Sequence, residues 1–229
     1  MKPGRDSSRN GAGLVSADDP RSPAAEAYRV LSTNIQFSSL DRDIRTLLVT
    51  SVGPDEGKSI VLANLAITMA ESGKRIIVVD SDLRRPTLHE LFGLPEGPGL
   101  TTMVLDEKLD PPFVETSVPN VRLLPSGPLP PNPAELLASE RFGRLIGRIA
   151  AEGDVVLFDA APIAAVTDAT VLAARLDGVL LVVDSGRTRR DVARRAKEQL
   201  ERVGAHILGA ALTNVKPEKR QLSYFRRST

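Results

Sequence analysis

The sequence predicts an α/β fold with a doubly wound, mostly parallel sheet. Four short apolar runs rich in Val, Ile and Leu are typical of strands that are buried on both faces of such a sheet. Segments between them carry apolar residues at helical spacing, so strands and helices alternate. The first run also leads into a glycine-containing loop and a helix. The runs are TLLVTS at 46–51, RIIVVD at 75–80, DVVLFD at 154–159 and GVLLVVD at 178–184.

Weaker patterns predict the remaining elements. The run HILGAALTN at 206–214 predicts a fifth strand, and NVRLLPS at 120–126 predicts a less certain sixth. Ser22 and Pro23 form a cap and first-turn pair, which predicts a helix before the first strand. A second helix is predicted from IVLANLAITMAES, and Gly73 closes it.

The length predicts one domain between two tails. Residues 1–21 are rich in Ser, Gly, Asp and Arg and lack apolar periodicity, which predicts a disordered N-terminal tail with order beginning at Ser22. The domain is expected to cover 22–215. Residues 216–229 carry five basic side chains against one acidic side chain, and Tyr224 is their single tyrosine. This composition is typical of a mobile, basic C-terminal tail.

Composition argues against several classes of protein. The chain has 30 Lys and Arg against 29 Asp and Glu, a formal charge of +1, so a protein built to coat nucleic acid is not expected, nor is a nucleic-acid partner. The absence of cysteine removes disulfides, thiolate zinc sites and iron–sulfur clusters. No stretch approaches the roughly 20 apolar residues of a membrane span, and no signal-peptide pattern is present. We therefore expect a cytoplasmic protein that does not cross a membrane by itself.

A phosphate-binding loop follows the first predicted strand. Its sequence, GPDEGKS, contains glycines that let backbone N–H groups approach phosphate oxygens. Lys58 can reach the β and γ phosphates, the Ser59 hydroxyl can ligate Mg²⁺, and the following helix adds its dipole. The simpler interpretation is a glycine turn before a helix, and Val52 stands where the pattern usually has Gly or Ala. The predicted nucleotide-binding residues of the loop are Gly53, Pro54, Asp55, Glu56, Gly57, Lys58, Ser59 and Ile60.

Three aspartates are predicted to complete the site, because the carboxyl ends of parallel strands face the ligand crevice. The second strand ends in Asp80-Ser81-Asp82. Asp80 can help hold Mg²⁺ or accept a proton from an attacking hydroxyl, and Asp82 can position that hydroxyl. The alternative is a solvated acidic turn that caps the helix at Pro86. Asp159 ends the third strand, where a Walker B carboxylate would meet the hydration shell of Mg²⁺.

Other polar residues give weaker predictions. Asn214, at the end of the fifth predicted strand, either contacts adenine or closes a turn. His89 has no partner His or Cys nearby and is expected to be structural. Five arginines can neutralise phosphate charge or meet acidic groups on a neighbour, or they are solvated helix and loop positions. They are Arg84, Arg85, Arg187, Arg189 and Arg190.

Taken together, these residues resemble the bacterial tyrosine kinases (BY-kinases) of exopolysaccharide and capsule synthesis, of the CpsD and CapB type. The resemblance runs from about Ala25 to about Val215. The motifs LRRP and PPNPAELL are far more specific for this family than the phosphate-binding loop is. Five segments carry it: EAYRVLSTNIQFS at 26–38, TSVGPDEGKS at 50–59, VVDSDLRRP at 78–86, LLPSGPLPPNPAELLAS at 123–139 and DGVLLVVDSGRTRR at 177–190.

The resemblance implies a P-loop NTPase fold and a protein-tyrosine kinase that uses ATP and Mg²⁺, with some ATPase activity. Lys58 and Ser59 match the family's Walker A residues. Asp80 and Asp82 match its Walker A′ pair, and Asp159 its Walker B aspartate. The implied catalytic residues are Lys58, Asp80 and Asp82, with Asp80 as the base for a tyrosine hydroxyl. The implied metal-site residues are Ser59, Asp80 and Asp159.

The resemblance also implies partners. Such kinases phosphorylate C-terminal tyrosines on neighbouring subunits of a ring. A membrane adaptor of the polysaccharide chain-length regulator type activates them, and a cognate tyrosine phosphatase is a further expected partner. The protein is then expected in the cytoplasm, recruited to the inner face of the cell membrane through its adaptor.

Several positions depart from the family pattern, and two of these departures concern the phosphoacceptor and the ring contacts. The run of C-terminal tyrosines is missing, because the chain holds only Tyr28 and Tyr224. Tyr224 is the expected phosphoacceptor, whereas Tyr28 lies in a predicted helix and is expected to pack. The ring-forming pattern of Glu, Arg and Arg at three-residue spacing becomes Glu26, Arg29 and Ser32. Glu26 and Arg29 therefore remain as predicted oligomer contacts in a weakened ring.

Two other functions stay open. One is a positioning ATPase of the ParA/MinD type, which dimerises with nucleotide on DNA or membrane. That type is expected to carry a lysine early in the phosphate loop, and Gly53-Pro54 offers none. The other is a nucleotide-binding regulatory partner of a polysaccharide export system, with little kinase activity because the tyrosine cluster is missing.

Overall fold

The protein is built around one seven-stranded sheet. The computed structural model describes residues 13–38 and 43–215. The strands are β1 (Thr46–Ser51), β2 (Ile76–Asp80), β3 (Val114–Glu115), β4 (Val121–Leu124), β5 (Val155–Asp159), β6 (Gly178–Asp184) and β7 (Ile207–Thr213). The helices are α1 (Val15–Asp18), α2 (Pro23–Ser38), α3 (Lys58–Ala70), α4 (Leu88–Leu91), α5 (Leu100–Leu105), α6 (Pro133–Ala138), α7 (Glu140–Ala151), α8 (Asp168–Ala173) and α9 (Arg190–Arg202).

The order of the strands is β3-β4-β2-β5-β1-β6-β7. Every neighbouring pair is parallel except β3 and β4. β2, β4 and β5 lie on one side of β1 in the sheet. After β5 the chain crosses to the other side of β1, where β6 and β7 lie. This confirms the doubly wound, mostly parallel fold, and a crevice at the carboxyl ends of the strands follows from the reversal.

All six predicted strands are present, and the sequence prediction lacks only β3. The two residues of β3 pair antiparallel with β4 at the edge of the sheet. A strand of this length shows no period of alternation, so nothing in the sequence distinguishes it from a loop.

Two layers of helices explain why the strand sequences are continuously apolar. Along β1, Leu48 faces one core, whereas Leu47 and Val49 face the other. The first core is covered by α5, α6, α7, α8 and α9, and the second by α2, α3 and α4. Because side chains alternate between the faces of a strand, burial of both faces favours apolar residues at consecutive positions, and the buried polar residues of β1, β2, β5 and β6 lie mainly at the strand ends.

The predicted helix boundaries around the first strand are confirmed. The hydroxyl of Ser22 accepts a hydrogen bond from the backbone N–H of Ala25 at 3.1 Å, so it caps α2. The next helix, α3, begins directly after Gly57. Beyond its end, the N–H of Gly73 donates to the carbonyl of Ala70 at 2.9 Å, and Gly73 has a φ of 83°. Glycine suits this left-handed position at the close of a helix.

The segment 13–21 folds against the domain, whereas the sequence predicts it as part of a disordered tail. The backbone N–H of Ser16 in α1 donates to Oδ1 of Asn64 in α3 at 2.8 Å, and Ser16 is buried. Thr68 adds a hydroxyl contact to Ser16 at 3.3 Å. One helical turn is too short for an apolar period, so its order depends on contacts made in the folded chain: these polar bonds to α3 and the packing of Leu14 against the second core. The predicted boundary at Ser22 is therefore wrong for this segment.

The other tail predictions fall outside the described residues. They concern residues 1–12 and 216–229, including Tyr224. Among the described helices, none combines the length and the apolar character that crossing a membrane requires.

Candidate functional site

The carboxyl ends of β1, β2 and β5 meet at the phosphate-binding loop. Asp80, at the end of β2, pairs in register with Asp159 at the end of β5. The loop turns at Gly57, whose φ is 83°, and α3 begins at the next residue. Within the part of the chain that the structure describes, the backbone N–H groups of Gly57, Lys58 and Ser59 donate to no protein acceptor. Free N–H groups at a helix N-terminus are suited to binding an anion.

Lys58 joins two of the predicted carboxylates. Its Nζ lies 2.9 Å from Oδ2 of Asp82 and 3.0 Å from Oδ1 of Asp159. Burial lowers the pKa of Lys58, but attraction to Asp159 and Asp82 outweighs burial, so the pKa lies above its ordinary value. The side chain therefore stays charged beside the loop.

Asp159 is the buried centre of this cluster. The hydroxyl of Ser59 donates to its Oδ2 at 2.5 Å, and the carboxylate has no exposed surface. Burial raises the pKa of Asp159, and the opposing effects of Lys58 and Ser59 do not cancel that rise. Hydroxyl and carboxylate oxygens are the ligands that Mg²⁺ takes in nucleotide sites. Ser59 and Asp159 therefore fit the predicted metal site.

Asp80 is also fully buried, and only one of its two carboxylate oxygens has a hydrogen-bond partner among the described residues. Its Oδ2 accepts hydrogen bonds from the N–H groups of Thr87 and Leu88 at 3.1 and 3.0 Å. This caps α4, which is the alternative role that the sequence left open. Its Oδ1 is buried and has no partner among the described residues. Burial, and next the charge of Asp159, raise the pKa of Asp80 from 3.8 to about 8. A proton or a cation at Oδ1 would satisfy this oxygen.

Asp82 is held by the loop that follows it. Its Oδ1 accepts from the N–H groups of Arg84 and Arg85 at 3.3 and 3.0 Å, while Oδ2 faces Lys58. The side chain lines a cavity beside the phosphate-binding loop, which Asp80 does not. Of the Walker A′ pair, Asp82 is therefore the one that a bound ligand meets first.

Glu56 braces the phosphate-binding loop from inside. Its Oε2 accepts from the N–H of Val52 at 3.1 Å, and its Oε1 accepts from the hydroxyl of Thr188. The Thr213 hydroxyl donates to its carbonyl at 3.0 Å. Sequence reasoning missed both threonines: Thr188 lies in the segment 177–190, of which only the arginines were singled out, and Thr213 lies within the predicted fifth strand. Val52, the departure from the usual loop pattern, packs into the core.

A cavity of about 910 Å³ opens beside the cluster. The loop 54–60 lines it, together with Asp82 and the two arginines after it. The facing wall includes Pro162 and Val166 from the segment between β5 and α8. Gly53 is the one predicted loop residue that does not line this cavity, and a Cβ there would approach Oε1 of Glu56 at 3.2 Å.

Asn214 lies at a second cavity of about 1120 Å³ between α2 and β7. Asp55 and Ile60 also line this cavity. Asn214 has a φ of 53°, and its Nδ2 donates to Oδ2 of Asp184 at 2.7 Å. The side chain thus links the ends of β6 and β7, and both roles considered from the sequence, adenine contact and closing a turn, stay predictions.

The predicted oligomer contacts pair within the chain. Arg29 lies 3.0 Å from Glu26 and 3.3 Å from Glu71, and all three side chains are well exposed. Ser32, which replaces the third charged residue, is buried. Tyr28 packs against the core below α2, as predicted.

Residues with weaker predictions divide by their contacts. Arg84 pairs with Asp168, which the sequence did not single out. Arg187 and Arg189 are exposed and lie 4.0 and 3.0 Å from acidic neighbours. His89 is buried, with Nε2 3.7 Å from Glu96. Arg190 is exposed at the start of α9.

Comparison with known proteins identifies close relatives, although no family model matches the chain. The chain is 40% identical over 213 residues to tyrosine-protein kinase YwqD of Bacillus subtilis, covering 93% of this chain and 90% of that protein. It is 35% identical over 209 residues to the putative tyrosine-protein kinase CapB of Staphylococcus aureus, covering 91% and 92%.

Solved structures show the same fold. The chimerical protein CapA2B2 matches with a TM-score of 0.85 and 34% identity over 89% of this chain and 90% of that chain. The kinase domain of Escherichia coli tyrosine kinase ETK matches with a TM-score of 0.82 and 27% identity over 94% and 87%. The septum site-determining protein MinD of Pyrococcus horikoshii, complexed with Mg-ADP, matches at 0.63 with 21% identity over 78% and 76%, which shows a shared fold. With the extent of its identity to YwqD and CapB, this chain belongs to the bacterial tyrosine-protein kinase family.

Proposed function

We propose that this chain is a Mg-ATP-dependent protein-tyrosine kinase that phosphorylates Tyr224 in its own C-terminal tail. One observation carries the proposal: Lys58 bridges Asp82 and Asp159 at the head of a loop with free backbone N–H groups. Positive charge and acidic oxygens are thus concentrated where phosphoryl transfer needs them.

The chain's own residues divide the work of holding a nucleotide. Free N–H groups of the loop and the Lys58 ammonium bind phosphate oxygens. Ser59 and Asp159 hold the ion and its water, and Asp80, whose Oδ1 is unpartnered and whose strand position is in register with Asp159, is proposed to join them. When bound, Mg-ATP supplies the phosphoryl group and the cationic charge that stabilises its transfer. Asn214 is proposed to contact the adenine from the second cavity.

Asp80 is proposed as the base that accepts the proton of the tyrosine hydroxyl. A general base works best when its pKa lies near the working pH. Without a bound cation, burial and Asp159 raise the pKa of Asp80 to about 8. A cation at Oδ1 would lower this pKa, so accepting the proton and holding the ion are alternative roles of the same oxygen. Asp82, which reaches the cavity, is proposed to orient the hydroxyl.

The cellular role is proposed from the family resemblance. It supports regulation of exopolysaccharide or capsule synthesis through a membrane adaptor of the chain-length regulator type, with recruitment to the inner face of the membrane. A ring of subunits with Glu26 and Arg29 at its contacts, and a cognate tyrosine phosphatase, belong to the same proposal. Ser32 in place of the third charged residue supports a ring weaker than the family pattern.

The test is autophosphorylation of the full chain with Mg-ATP, read by phosphotyrosine antibody and by mass spectrometry of the tail. The parent is expected to gain one phosphate at Tyr224, and Tyr224→Phe and Lys58→Met are expected to gain none. ATP binding without any phosphotyrosine in the parent would refute the kinase and favour the regulatory nucleotide-binding protein. The single tyrosine of the tail is the observation that keeps this second candidate in view.

A further inference from the structure

Two adjacent arginines follow Asp82, and their side chains have different surroundings. The Arg84 guanidinium makes a two-point contact with Asp168, with Nε 2.8 Å from Oδ2 and Nη2 3.0 Å from Oδ1. The Arg85 side chain has no ionic partner among the described residues and lines the cavity. Of these two arginines, therefore, only Arg84 forms an ion pair with a described residue.

The carboxylate of Asp168 is buried and bonds to Arg84. Asp168 opens α8 and its side chain has 0% exposure, whereas the Arg84 side chain is 41% exposed. In the described part of the chain, no other side chain or backbone group donates to this carboxylate. A buried carboxylate is retained when a cation and its hydrogen bonds compensate it.

The ion pair joins two segments that line the cavity of about 910 Å³. Arg84 lines it directly, and Asp168 lies two residues after Val166, in the segment that also contributes Pro162. On one side, the backbone N–H groups of Arg84 and Arg85 hold Oδ1 of Asp82. On the other, the segment before α8 is fixed to the end of β1, because Thr50 donates to the carbonyl of Ala161 at 2.9 Å. The N–H of Ile163 adds a bond to the Ser51 carbonyl, also at 2.9 Å. The Arg84–Asp168 pair thus ties the loop that orients Asp82 to a rigid part of the sheet.

We propose that the Arg84–Asp168 ion pair is a positioning clamp for phosphoryl transfer. It fixes the orientation of Asp82 relative to Lys58 and sets the width of the cavity between the Walker A′ loop and the Pro162 wall. Both residues act through others, so they are positioning residues. The inference rests on the proposed kinase function, because the geometry it preserves is that of the transferring group.

The test compares Arg84→Gln, Asp168→Asn and the double variant of the full chain. Misplacement of a reacting group by about 1 Å can lower a rate about a hundredfold, so we expect each single variant to phosphorylate Tyr224 roughly 10- to 100-fold more slowly at saturating Mg-ATP. The KM for ATP should stay within about threefold, since the loop that binds phosphate is intact. The double variant should be no slower than either single variant, because both remove one contact.

Thermal stability separates positioning from a purely structural role. Arg84→Gln leaves the buried Asp168 carboxylate without its cation and should lower Tm, and Asp168→Asn should lower it less because the Arg84 side chain is 41% exposed. The neutral Gln–Asn pair should recover much of the loss caused by Arg84→Gln. Transfer should stay slow in the double variant. Arg75→Gln is the matched control: Arg75 makes the same two-point contact with Asp154 at 2.8 and 3.4 Å, at the opposite end of β2. Its transfer rate should remain within about twofold of the parent.

Three results would overturn the clamp. If the double variant recovers both its phosphoryl-transfer rate and its Tm, the ion pair has only a structural role. A slow Arg84→Gln beside an Asp168→Asn with the parent's rate would make Arg84 a direct ligand contact. Equal rates in all variants would remove any role. If the parent binds ATP but forms no phosphotyrosine, the proposed function fails instead. The clamp is then judged by the same comparison of ATP hydrolysis rates, since hydrolysis uses the same Asp82 and Lys58.

Discussion

Replacing Asp80 by asparagine tests the electrostatics of the site in one measurement of stability. The substitution keeps an oxygen for the N–H groups of Thr87 and Leu88, which Oδ2 now serves. The new amide nitrogen takes the place of Oδ1, which is buried and unpartnered. Size and shape are conserved, so the main change is the loss of one titrating group.

The size and sign of the effect follow from the pKa of Asp80, which burial and Asp159 raise from 3.8 to about 8. A group that binds its proton more tightly in the folded chain stabilises the fold at acid pH. That contribution is lost as the pH rises from the unfolded pKa through the folded pKa. Between pH 5 and pH 8 the ligand-free parent should therefore lose roughly 3–4 kcal/mol of unfolding free energy from this group. Asp80→Asn should not show this loss.

Urea unfolding in EDTA without nucleotide, in steps of pH, measures the two slopes. Asp154→Asn is the control, because Arg75 lowers the pKa of Asp154 to about 2. Its contribution is lost only as the pH falls below the unfolded value, so this variant should follow the slope of the parent between pH 5 and pH 8. If Asp80→Asn runs parallel to the parent within about 0.5 kcal/mol, Asp80 is ionised at neutral pH and the assigned electrostatics are refuted.

Three further substitutions test the rest of the site. Lys58→Met leaves the carboxylates of Asp82 and Asp159 without their cation, so phosphotransfer measured by phosphotyrosine antibody should fall more than about a hundredfold and unfolding free energy by about 2–4 kcal/mol. Glu56→Ala removes the side chain that braces the phosphate-binding loop from inside. The Kd for a fluorescent ATP analogue should therefore rise roughly tenfold, a change in binding free energy equal to one strong hydrogen bond. An unchanged Kd would show that the loop keeps its shape without Glu56. Arg29→Ala removes only exposed ion pairs, so unfolding free energy should change by less than about 1 kcal/mol, while sedimentation should show smaller assemblies if Arg29 contacts a neighbouring subunit.

Much of the fold could be predicted because its signals are local. Strands buried on both faces produce continuous runs of Val, Ile and Leu, and β1, β2, β5 and β6 all carry them. The Ser22 cap and Gly73 mark helix ends by chemistry that needs no tertiary context. The order of segment 13–21 could not be predicted, because it depends on Asn64, a residue of another helix.

The candidate site, too, could be predicted only in part. Lys58, Ser59 and the aspartates at strand ends belong to motifs whose chemistry is visible in the sequence. The residues that hold the surrounding loops in place lie far away in the sequence: Asp168 is 84 positions from Arg84, and Thr188 is 132 positions from Glu56. No local pattern distinguishes a supporting Asp or Thr from a solvated one. Such residues become visible only when the fold brings the two ends of the contact together.

The charges of the cluster indicate what nucleotide binding changes in the chain. In the structure Lys58 compensates Asp82 and Asp159, and the Ser59 hydroxyl is committed to Asp159. An ammonium that turns to a phosphate oxygen leaves these carboxylates uncompensated in a buried site, next to another anion. A divalent cation at Ser59 and Asp159 restores the balance, because it brings more positive charge than Lys58 takes away. We therefore expect lysine, serine and aspartate to act as one set that exchanges partners, and phosphate binding to be coupled to metal binding.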